Sequence, residues 1–102
     1  MGAAVAVILI KERHIVEAFE RAGATRAERA VVPEEIMVAQ GGAAWRRLRS
    51  REILRESVPD SGTFYADSEA WQALRTMRRR RIALFGVVAL TAAVAAAVAS
   101  SR

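Results

Sequence analysis

Ile82-Ala83-Leu84-Phe85-Gly86-Val87-Val88-Ala89-Leu90-Thr91-Ala92-Ala93-Val94-Ala95-Ala96-Ala97-Val98-Ala99 runs for 18 residues without a charge, an amide side chain or a proline. As a helix rising about 1.5 Å per residue it measures roughly 27 Å, close to the hydrocarbon thickness of a bilayer. Eight of its residues are Leu, Ile, Phe or Val, which together favour insertion by roughly 2 to 5 kcal/mol. A helix that is apolar all round needs an apolar enclosure, and the 81 residues before it are too few to supply one. The expectation is a transmembrane helix over 82–99.

Outward from that segment the flanks are unequal. Arg78, Arg79, Arg80 and Arg81 precede it directly, and only Ser100, Ser101 and Arg102 follow. The positive-inside rule then places the N-terminal part in the cytoplasm and makes the chain a single-pass protein with a C-terminal anchor, as in a bacterial inner membrane. The four arginines are expected to meet anionic lipid headgroups, at roughly 1 kcal/mol each. Gly86 and the four-residue repeat Ala89, Ala93 and Ala97 leave one flank nearly flat, a small-xxx-small pattern that lets another transmembrane helix approach.

The remaining charge is balanced. The chain of 102 residues carries a net +5 and a pI near 11.2, a balance that ordinarily raises nucleic acid as a partner. Residues 1–77, however, hold 11 basic and 11 acidic side chains, so most of the excess is the arginine run. Length allows one small domain plus an appendage and excludes a multi-domain enzyme. The chain has no cysteine, which removes disulfides, thiolate metal sites and cysteine nucleophiles together. The domain plan is a head over 1–77, a basic juxtamembrane run over 78–81, the anchor over 82–99 and a short tail over 100–102.

The head reads as mainly helical. Met1-Gly2-Ala3-Ala4-Val5-Ala6-Val7-Ile8-Leu9-Ile10 lacks a basic start and is too short to span, so it reads as the first half of a long helix whose tip is buried on a partner or the membrane interface. Ile8, Ile15, Phe19 and Ala22 keep helical spacing, Val16 and Ala18 widen the stripe, and Gly23 marks the end of a helix over 3–22. Thr25 and Glu28 match a capping box opening a short helical turn over 26–30. Pro33-Glu34-Glu35 begins a second helix expected to reach Gln40, where Gly41-Gly42 stops it. A third helix over 43–51 carries Ala44, Trp45 and Leu48 inward, with Arg46, Arg47 and Arg49 outward. Two β-compatible runs, 53–56 and 63–66, surround Pro59-Asp60-Ser61-Gly62 and read as a hairpin. Asp67 or Ser68 caps a last helix of about 30 residues in which Trp71, Leu74 and Met77 pack back on the head and which continues through the anchor.

Three helices, a two-stranded hairpin and a further helix resemble a winged helix-turn-helix domain over about residues 3–77. Trp45-Arg46-Arg47-Leu48-Arg49-Ser50-Arg51-Glu52-Ile53-Leu54-Arg55-Glu56 looks like a recognition helix leading into the first wing strand, and Phe64-Tyr65-Ala66-Asp67 like the returning strand. The resemblance implies DNA as a partner, with Arg46, Arg47, Arg49 and Arg51 on phosphates and base edges. The same cluster also suits anionic headgroups or an acidic partner surface, or a solvated face paired with Glu52 and Glu56. The long first helix and the anchor depart from the family's usual soluble form.

Enzyme chemistry finds no residues to carry it. His14 is the sole histidine, and a metal site needs several converging ligands. Glu34 and Glu35 suit the dipole of a helix start, and Ser57, Asp60 and Ser61 suit a turn. Gly41-Gly42 has no phosphate-loop context. The expectation is a non-catalytic protein without cofactor or small-molecule substrate: an accessory or assembly subunit of a larger membrane complex, partnered by lipids and other membrane subunits. The alternative is a membrane-tethered winged-helix protein that binds DNA.

Overall fold

A computed structural model describes residues 2–100; the far end of the expected tail, Ser101 and Arg102, lies outside the described residues. Among the described residues there are three α-helices, two 3₁₀ turns and a two-stranded antiparallel hairpin, in an order compatible with a winged-helix arrangement. The chain divides into two compact units, Met1–Trp71 and Gln72–Arg102. Trp71 is buried, and Met77 is 47% exposed.

In the first unit, α1 spans Ala3–Arg21 and α2 spans Gly42–Ser50. Strands β1 (Leu54–Glu56) and β2 (Phe64–Ala66) pair with Leu54 opposite Ala66 and Glu56 opposite Phe64. The other edge of β2 is also engaged. Val31 exchanges both backbone bonds with Phe64, at 2.9 and 2.8 Å, and the Ala66 amide donates to the Ala24 carbonyl. That arrangement places Ala24 and Val31, both from the connection between α1 and α2, beside the hairpin. Glu56 shapes the turn, since its carboxylate accepts from the amides of Asp60 and Gly62.

Three helical elements end in the same way. After α1 the Ala24 amide donates to Phe19 and the Gly23 amide to Glu20; the pattern recurs with Val38 to Pro33 and Met37 to Glu34, and with Ile53 to Leu48 and Glu52 to Arg49. Each is the paired bond of a Schellman motif, which requires a left-handed residue at its apex. Gly23, Met37 and Glu52 occupy those apices, with φ of 72°, 62° and 58°. In each case the next residue, Ala24, Val38 or Ile53, is buried. The reversals therefore drive the chain back into the core.

The second reversal corrects the expectation for 33–40. Only a 3₁₀ turn forms over Pro33–Ile36, because the chain turns left-handed at Met37 and sinks Val38 instead of continuing to Gln40. The preceding 3₁₀ turn, Ala27–Arg29, begins after Arg26 with no side-chain cap, so Thr25 and Glu28 do not form a capping box. The α1 stripe is also rotated from the expected one. Glu12, Val16 and Phe19 are its buried residues, Ile8 and Ile15 are half-buried, and Ala22 is exposed. Val16 and Phe19 form the core with Leu48, Ile53, Leu54, Phe64 and Trp71.

Helix α3 spans Ser68–Ser100, and Asp67 caps it by accepting the Ala70 amide at 3.1 Å. It is long and apolar enough to cross a membrane, and none of its most apolar 18-residue stretch is buried.

Candidate interaction surfaces

The α2 arginines project from a helix held by Ala44, Trp45 and Leu48, whose spacing of one and four residues buries one side of the helix. They do not share one role. Arg46 and Arg51 are exposed. Arg47, read from sequence as outward, is half-buried: its Nε donates to Glu12 Oε1 at 2.8 Å, and the Glu12 side chain is wholly buried. This pair ties α2 to α1. Its physical basis is that a buried carboxylate requires a close counter-charge and hydrogen bonds.

Arg49 stacks on the hairpin. Its Cζ lies 4.8 Å from the centroid of Phe64, and Trp45 meets the same ring edge-on at 5.1 Å. One aromatic ring thus receives a cation on one contact and an indole on another, which fixes the hairpin against α2. Arg55, on β1, pairs with Asp67 at 3.3 Å and donates to the Glu52 carbonyl. The turn over residues 57–63 carries Asp60 and no cation. As a wing it would present a negative charge to a phosphate backbone.

In the second unit, Arg79, Arg80 and Arg81 are exposed and Arg78 is half-buried. Gly86 has open space where a Cβ would stand. Large apolar side chains of this unit, among them Phe85, Leu90 and Val94, are more than half exposed. Thr91 satisfies its hydroxyl internally by donating to the Val87 carbonyl at 2.9 Å, so it places no unpaired polar group on the apolar surface.

His14 is exposed, and no group of three or more potential metal ligands occurs among the described residues. Glu34 accepts from the Gln40 amide. An open groove of about 830 Å³ runs between α1 and residues 36–45, a feature sequence reasoning missed because its two walls are separated in the chain. Comparison with protein-family models, with curated proteins and with solved structures gives no match.

Proposed function

We propose that the protein is a non-catalytic single-pass membrane protein, an accessory or assembly subunit of a larger membrane complex, with its N-terminal unit in the cytoplasm. The observation that carries this reading is the 18-residue apolar stretch of α3, none of it buried, directly preceded by four arginines. Exposed to water, a surface of that kind is costly; in a bilayer it is satisfied, and the arginines meet phosphate headgroups on one side. The alanine-rich flank through Gly86, Ala89, Ala93 and Ala97 supports a protein neighbour, because close backbone approach rather than hydrophobicity drives helix association in lipid.

DNA is the weaker partner. Arg47 is committed to Glu12, Arg49 to Phe64 and Arg55 to Asp67, and the wing carries Asp60, which leaves Arg46 and Arg51 for phosphates. Two phosphate contacts are few beside the six to ten or so of a strongly salt-dependent DNA binder.

Purification of the full chain in mild detergent is expected to retain at least one other integral membrane protein in fixed ratio. Replacing Ala89 and Ala93 together by Leu is expected to release that protein, since the added volume separates the helices. Recovery of the native chain as a detergent-bound monomer would contradict the subunit reading.

A further inference from the structure

Met37 is the most anomalous side chain of the first unit. It is 95% exposed and sits at φ 62°, at the apex of a Schellman reversal where Gly or Asn would cost less. Neither stability nor solubility accounts for a long apolar side chain there. It stands instead at the lip of the groove, whose walls include Ile8, Ile15, Ile36, Ala43 and Trp45. Val7, on the same wall, is 48% exposed. Unbranched methionine adapts to varied apolar partners and is over-used at binding surfaces.

The groove's charges select among occupants. Lys11 and Arg21 line it from α1 and have no ion-pair partner among the described residues, whereas the one lining acid, Glu17, is paired with Arg13 at 3.7 Å. Ten residues of helix separate the two cations, about 15 Å along the axis. A small molecule would need polar groups converging inside the cavity to orient it, and the charged groups here stand along the α1 wall. A second copy of this chain supplies no matching element: α2 has no acid, and α3 has Glu69 against five arginines. α1 has its Glu12 buried and its Glu17 paired, and its remaining acid, Glu20, stands beside Arg21 on a helix that also carries Lys11 and Arg13.

Resting on the subunit reading above, we infer that this groove docks the apolar face of an acidic amphipathic helix from another protein of the complex. Met37, Val7 and Ile8 receive its apolar side chains, and Lys11 and Arg21 its flanking carboxylates. This is the helix-in-groove mode, with affinity from the apolar face and orientation from the rim charges.

The test uses the full chain in nanodiscs of neutral phosphatidylcholine and two fluorescent synthetic helices with the same leucine face, one flanked by Glu and one by Lys. The Glu helix is expected to bind about tenfold tighter than the Lys helix, and K11E/R21E to reverse that preference. Met37→Asn is expected to weaken binding several-fold while leaving the thermal midpoint unchanged or raised, because Asn tolerates the left-handed conformation. Equal affinity for the two helices, no binding of either, or binding indifferent to Met37→Asn would overturn the assignment. So would binding to empty phosphatidylcholine nanodiscs equal to that of the loaded ones. Co-migration in mild detergent is read separately. If it persists while the helices are not distinguished, only the groove assignment fails; if the helices are distinguished and nothing co-migrates, only the subunit reading fails.

Discussion

Trp45→Ala and Trp71→Ala are each expected to unfold the first unit or to lower its thermal midpoint by tens of degrees. Both indoles are buried, at 6% and 3% exposure, and Trp45 meets Phe64 edge-on. Removing a buried aromatic of this size costs about 3–5 kcal/mol. A unit of some 70 residues has a total stability of about 4–11 kcal/mol, so either loss is comparable with the whole. The effect at Trp45 spreads, because Phe64 loses its edge contact and with it the seat of Arg49. Near-UV circular dichroism is the suitable probe, since α3 contributes helical far-UV signal whether or not the first unit is folded. His14→Ala and Glu34→Ala, at exposed positions, are expected to be nearly silent. Unchanged midpoints in both tryptophan variants would remove the basis for a winged-helix-like core.

The second large effect is expected at the ion pair between α1 and α2. Arg47→Ala leaves the wholly buried Glu12 without its guanidinium partner. Breaking a fully buried pair costs about 3–5 kcal/mol; the Arg47 side chain is 37% exposed, so about 2–3 kcal/mol is expected after solvent screening. Replacing both partners by apolar residues, Glu12→Leu with Arg47→Met, is expected to recover most of the loss, because no charge then remains buried. Chemical denaturation of the single and double variants reads the coupling directly. A cost for Arg47→Ala below about 0.5 kcal/mol would mark the pair as a surface contact of no structural weight.

These two sites also show what the sequence made legible. Strong local chemistry is readable: Gly23 as a left-handed helix end, a cap at Asp67 or Ser68, the Pro-Asp-Ser-Gly turn between short strands, and the long apolar segment. Each depends on residues within a few positions of one another. The reversal at Met37 was not readable, because the same Schellman geometry that glycine announces at position 23 is carried there by a residue with no left-handed preference. Once the chain turns at Met37, the acids and the proline that suggested a helix to Gln40 serve only a 3₁₀ turn. The Glu12–Arg47 pair spans 35 residues. Glu12 falls at helical spacing with Val16 and Phe19 on the buried side of α1, and only the packing of the two helices shows that Arg47, half-buried on α2, reaches it. The groove was hidden for the same reason, and Ile8 and Ile15, whose spacing suggested core, line it.

A subunit role requires that α3 cross the bilayer with the first unit in the cytoplasm. A paired topology assay tests this, with a reporter active only outside the cytoplasm fused in one case after Arg102 and in the other before Met1. Activity is predicted for the first fusion and none for the second, and replacing Arg78, Arg79, Arg80 and Arg81 by neutral residues is predicted to erode the difference, since those charges set the orientation. Activity of the second fusion alone would invert the topology, and inactivity of both, with the chain recovered in the soluble fraction, would contradict the membrane assignment itself.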